Sequence, residues 1–243
     1  MSGALRQILA VWGVLDIQNL EASFAEYLTL SEPIIREAKH NSARAASGYY
    51  DMLRVAEAVP GPPPASKFLA DLVASGELEM TLGPIGPAAI RKGIEAGMTF
   101  EQSAAAAWVK QSGQLAKHVQ AGSRNTLAQR IAGDERALGF QRAPHKDGKC
   151  CAFCGVVASR GAVYKDRATS IASSNPNRLG KDYHDHCRCT PQPIFRRDTP
   201  LSPAGERFAA LYEKHKSLNE VRRELDGRET AFDRKAKASG GDD

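Results

Sequence analysis

Cys151-Ala152-Phe153-Cys154 and Tyr183-His184-Asp185-His186-Cys187-Arg188-Cys189 are the two stretches on which the reading of this chain turns. With Cys150 they hold all five cysteines of the 243 residues. Thiols kept for packing would be scattered, whereas these fall between Cys150 and Cys189 in C-x-x-C and C-x-C spacings. An odd count in paired spacings argues against a secreted disulfide framework and for a metal bound in a reducing compartment, hence synthesis in a cytoplasm. A C-x-x-C turn presents two thiolates to one ion while backbone amides stabilise their charge, and structural zinc takes four N or S ligands in a tetrahedron. The candidate ligands are Cys151, Cys154 and His184, with the fourth place open between Cys187 and Cys189 and with His186 as a further competitor. Cys150 reads as a bystander. Catalytic zinc needs an open position and a general base, and neither H-E-x-x-H nor H-x-E followed by P-C-x-x-C occurs, so the zinc is expected to be structural.

Working outward, Val156-Val157 and Ala162-Val163-Tyr164 flank Ser159-Arg160-Gly161, a pattern that predicts two short strands around a turn. Residues 165–182 are rich in Ser, Asn, Arg and Gly and read as a loop with one helical turn near 168–172. The whole of 141–197 forms a small α+β module with few large apolar side chains, too few to hold it together without the metal.

Residues 1–140 read as helical. Apolar residues recur at three- and four-residue intervals from about 19 to 58, including Leu20, Phe24, Tyr27, Ile35, Tyr49 and Leu53. Pro33 suits the first turn of a new helix, which predicts a break near 30–32. Val59-Pro60-Gly61-Pro62-Pro63-Pro64-Ala65 disfavours helix and reads as a stiff linker at 59–65 that buries little surface. A further helix is expected at 66–75, irregular backbone at 82–87, and helix again from Ala88. Thr99-Phe100-Glu101-Gln102 is a capped start for an Ala-rich helix through Val119. A separate helix is predicted at 123–138, ended by Gly139. His40, His118 and His215 stand singly on helical segments and read as surface or cap residues, and His145 as a loop residue. Beyond the module, 198–243 is a charged tail: one helix from Glu206 to about Lys237, then a disordered end. The fold class is mainly α, with a helical N-terminal region, the zinc-stapled α+β module and a C-terminal charged helix.

Thirty-three basic residues against twenty-eight acidic ones leave a net charge of +5, nearer to a mixed solvated surface than to a dedicated nucleic-acid binder. Basic residues do gather locally, at Arg188, Arg196 and Arg197 and at Arg222, Arg223, Arg234, Lys235 and Lys237. No apolar run approaches the roughly 20 residues that span a bilayer, so no membrane partner is expected. The first residues show helical periodicity with Asp16 and Glu21 in place of a cleavage site, and read as mature structure.

The run Cys151 to Cys154, then Ser159-Arg160-Gly161 and Tyr164, then Tyr183 to Cys189, resembles the C-terminal motif of MuF-like phage head morphogenesis proteins, especially minor capsid proteins of actinobacterial tailed phages. Ser123-Arg124-Asn125-Thr126-Leu127 is similar to the polar helix start that precedes it, so the resemblance covers about residues 120–197. Its aromatic-His-x-x-Cys-Arg-Cys signature aligns His184, and not His186, with the family histidine. The resemblance implies a low-copy head component in the virion, made in the host cytoplasm. Its partners would be phage portal and capsid proteins, with contact to packaged DNA as a further partner. No added enzymatic domain is evident, which implies a structural role and no enzyme.

Two other readings compete. One is a zinc-stabilised nucleic-acid-binding module in which Arg188, Arg196 and Arg197 meet phosphates. The other is an HNH-like nuclease using Asp185 and His186, which lacks the following Asn and has only His215 beyond Cys189 as a second histidine.

Overall fold

The structure is a computed structural model that describes residues 3–65, 76–144, 151–161, 187 and 189–227. The described residues are mainly helical with one small sheet: α1 (Gly3–Trp12), α2 (Leu20–Ala56), α3 (Glu77–Leu82), α4 (Pro87–Glu95), α5 (Phe100–Ala132), β1 (Gly139–Ala143), α6 (Ala152–Ser159), β2 (Thr190–Ile194), α7 (Pro203–His215) and α8 (Leu218–Leu225). The expected mainly α class with a small α+β portion is what is found. The expected helix at 66–75, strand at 162–164, helical turn at 168–172, His145 and the end of the tail beyond 227 lie outside the described residues. No helix among the described residues is long and apolar enough to cross a membrane.

The chain divides into two compact units, the first centred on residues 3–49 and 76–126 and the second on 50–65, 127–144, 151–161 and 189–227. In the first, Ile8, Trp12, Leu20, Phe24, Tyr27, Ile35, Leu82, Ile90 and Leu115 share one buried cluster. The Trp12 and Tyr27 rings meet edge to face, with centroids 5.0 Å apart. Tyr27 donates its hydroxyl to Oε1 of Gln111 at 3.3 Å, and Gln111 Nε2 donates to the Leu82 carbonyl at 3.0 Å, a buried relay that joins α2, α5 and α3.

The predicted break at 30–32 is not there: α2 runs through Pro33 without interruption. An internal proline costs a helix about 3 kcal/mol. Leu20, Phe24 and Tyr27 on one side of it and Ile35 on the other are anchored in the same cluster, and that shared burial outweighs the lost hydrogen bond. The separate helix at 123–138 is likewise absent, because α5 continues from Phe100 to Ala132. Gly122, inside it, supplies close approach and does not end the helix. Gly139 does not cap a helix either: it opens β1 with φ 141°, a conformation that favours glycine. The start of α5 is as predicted. Thr99 Oγ1 accepts from the Gln102 amide at 3.2 Å and Gln102 Oε1 accepts from the Thr99 amide at 3.0 Å, a reciprocal capping box.

His118 is buried in the interior of α5, against the expectation of a surface or cap residue, with Nε2 2.9 Å from Thr81 Oγ1 and Nδ1 3.5 Å from Glu77 Oε1. His215 stands in the last turn of α7, its side chain buried against the Glu224 carboxylate. His40 is exposed as expected.

In the second unit a charged network joins the last turns of α2 and the end of α5. Arg54 pairs with Asp134, Tyr50 donates to Asp134 Oδ2 at 2.7 Å, and Arg130 pairs with Asp51 at 2.5 Å while lying over the Tyr50 ring. The same two arginines reach the proline-rich segment. Arg54 Nη2 donates to the carbonyls of Pro60 (3.0 Å) and Gly61 (3.1 Å), and Arg130 Nη2 to that of Pro64 (3.1 Å). The side chains of 60–65 are mostly exposed, as a spacer's would be, yet its backbone is fastened to buried groups.

The single long helix expected in the tail is two helices. Ser202 caps α7 through the Gly205 amide (3.1 Å) with Pro203 at the first position, and α7 stops at Lys216, which adopts a left-handed φ of 52°. The reversal lets α7 and α8 both pack on α6, burying Phe208 and Val221 completely.

Candidate metal centre

Val156 and Val157 form no strand. Cys151 is the N-cap of α6, its sulfur accepting the Cys154 amide at 3.4 Å, and the first strand of the predicted hairpin is replaced by this two-turn helix. A short apolar run has no periodicity to separate buried strand from buried helix, and the β-branched pair pointed the wrong way. Six of the eight α6 residues are buried. At Gly155 a Cβ would stand 2.3 Å from Cδ1 of Phe208, so the glycine lets α7 sit directly on the α6 backbone.

The sheet lies instead at Gly139–Ala143 and Thr190–Ile194, antiparallel, with Arg142 opposite Pro191 and Phe140 opposite Pro193. Side chains alternate across a strand, so Phe140 and Arg142 share one face of β1 and Gln141 takes the other, where its Nε2 donates to Gln192 Oε1 at 3.3 Å. The two prolines also alternate, and in a sheet of two edge strands their missing N–H groups are tolerated.

These elements bring Cys154 of α6 together with Cys189, which directly precedes β2, and with Cys187 two residues before it. All three are buried, and their sulfurs lie within 4.8 Å of one another. Thiolates bound to one zinc at about 2.3 Å stand about 3.8 Å apart, so only a small contraction would seat the trio on a single ion. The donor set fits a soft or borderline divalent metal, and the buried cluster can hold one. Cys151 is not part of the trio and is half-buried. Of the other candidates, Cys150, His184, Asp185, His186 and Arg188 lie outside the described residues.

Two arginines outside the candidate ligand set lie against these cysteines. Arg142, 2% exposed, donates through Nη1 to Cys154 Sγ at 3.6 Å. Arg124, also buried, donates through Nη2 to the Cys187 carbonyl at 2.8 Å. Arg124 belongs to the polar stretch that carries the family resemblance, but nothing in the local sequence gives either arginine this role, because a basic residue in a strand or helix reads as surface until its neighbours are known.

A family model described as VG15 protein matches residues 2–218. The chain belongs to the VG15 protein family. This is a family of phage proteins, and membership spans the helical region, the cysteine-bearing module and α7. No curated protein and no solved structure gives a significant match.

Proposed function

We propose that this chain is a minor component of a phage head, acting structurally in head assembly near the portal, with a zinc ion stapling its cysteine-bearing module. The observation that carries the reading is membership of a phage protein family over nearly the whole chain, joined to the MuF-like signature around Cys151–Cys154 and Cys187–Cys189. Portal and capsid proteins are its partners in this reading, and it works by protein contact without catalysing a reaction.

Zinc, when bound, supplies a cross-link between α6 and the start of β2. The trio provides three ligands, and His184 or Cys151 completes the tetrahedron. Such a staple suits a part that must keep its shape while neighbouring subunits assemble, because structural zinc couples ligand binding to folding.

The test is made in a phage that encodes the chain. A nonsense mutation here should lower the yield of full heads, and mass spectrometry of purified particles or procapsids should find the protein at low copy. Normal infectious yield without it, together with its absence from both particle types, would sink the reading.

A further inference from the structure

We propose that Arg142 is a positioning residue of the metal centre, its guanidinium offsetting the negative charge that metal-bound thiolates build up at Cys154. The inference rests on the reading of the trio as a metal site and concerns what makes that site tolerable inside the protein.

Charge arithmetic frames the problem. Three thiolates and one divalent cation sum to −1, and a neutral histidine as fourth ligand leaves that unchanged, while a fourth thiolate makes it −2. Water cannot spread this charge, since Cys154 is 0%, Cys187 5% and Cys189 1% exposed. A net charge in such surroundings is strongly unfavourable unless an opposite charge or a hydrogen bond meets it.

Arg142 supplies both. Its side chain is among the most deeply buried in the protein and stays protonated at any physiological pH. Its Nη1 lies 3.6 Å from Cys154 Sγ, within hydrogen-bond distance of a sulfur acceptor. A neutral thiol accepts weakly, whereas a thiolate makes a charge-assisted bond of roughly twice the strength. Added to the three thiolates and one divalent ion, the guanidinium brings the sum from −1 to 0.

The position is set by β1. Alternation turns Arg142 to the same face as Phe140, and pairing with Pro191 fixes it two residues from Cys189 across the sheet. The N–H···S bond thus tells the metal centre where the sheet is, as outer-shell partners generally do for metal ligands.

The experiment uses the full-length chain loaded with zinc, and in parallel with cobalt(II). Chelator competition should show the parent holding one equivalent of zinc, with Arg142→Met and Arg142→Gln weakened about 10- to 100-fold and Arg142→Lys restoring part of the loss. In the cobalt form the sulfur-to-metal charge-transfer band should shift in Arg142→Met and Arg142→Gln while the visible tetrahedral bands keep their pattern, a signature that a merely structural loss does not produce. Should Arg142→Met fail to fold, Arg142→Gln carries the test, since it keeps N–H donors without the charge. Affinity within twofold of the parent in Arg142→Gln, with an unshifted band, would overturn the role of Arg142 and leave the metal centre standing. A parent chain that binds no zinc or cobalt would overturn both.

Discussion

A Cβ on Gly122 would stand 2.2 Å from the main-chain carbonyl oxygen of Lys39, so α2 and α5 touch backbone to backbone at this point. The contact explains why α5 passes through a residue that weakens helices.

Gly122→Ala should therefore destabilise the protein by about 1–3 kcal/mol, although alanine is the better helix former by about 1 kcal/mol. Gly48→Ala is the internal control: Gly48 is exposed in the middle of α2 with no atom within 4 Å of its would-be Cβ. That change should raise stability by about 0.5–1 kcal/mol. Thermal unfolding of the two variants checks both signs, and equal shifts would show that the close contact is not formed in solution.

The Asp134 carboxylate is pulled two ways. Burial pushes its pKa up, but hydrogen bonds from Tyr50, from the Arg136 amide and from Arg54, with the Arg54 charge, outweigh this and hold it below the usual carboxylate range. A depressed folded-state pKa contributes stability above the unfolded value near 4, and that contribution is lost as pH falls through the lower folded value. Asp134→Asn should lose on the order of 3 kcal/mol at pH 7, because Arg54 is left buried with half its partner. The gap between parent and variant should then narrow from pH 5 to pH 3. A gap that stays constant across that range would remove Asp134 as the titrating group.

Deleting residues 60–64 would strip carbonyl partners from Arg54 and Arg130, both nearly fully buried. An unsatisfied buried donor costs about 1–3 kcal/mol, so the deletion should lower thermal stability as well as affect assembly. A Gly/Ser segment of equal length, which keeps the carbonyls, should cost far less. If deletion left the melting temperature untouched, the segment would be the plain spacer that its composition describes.

Cys151 and Cys154 separate capping from metal binding. Cys154→Ser, Cys187→Ser and Cys189→Ser should each lose bound zinc and open 155–185 to proteolysis, since structural zinc contributes on the order of 10 kcal/mol in small zinc domains. Cys150→Ser should keep it. Serine is a good N-cap, so Cys151→Ser preserves the start of α6. Zinc content in that variant, measured by elemental analysis, reports directly whether Cys151 is the fourth ligand: retention of a full equivalent assigns the place elsewhere, and loss assigns it to Cys151.

By itself the sequence determined what depends on neighbours along the chain. The Thr99–Gln102 capping box, the helical period of α2, the proline-rich break after Ala56 and the soft-ligand spacing of the cysteines all act over three or four residues, within reach of a pattern. The tertiary structure alone decided the rest. Pro33 stays inside α2 because residues on both sides of it share one buried cluster, and Gly122 stays inside α5 because the Lys39 carbonyl leaves no room for a side chain. Val156 and Val157 are helical because Phe208 closes over Gly155, a contact more than fifty residues away in sequence. Arg142 became part of the cysteine cluster through the pairing of β1 with β2, strands whose proline and arginine content hides them from any alternation count. Local signals fix an element where its own backbone satisfies itself, and where a distant surface supplies the burial energy the chain's neighbours say nothing of the outcome.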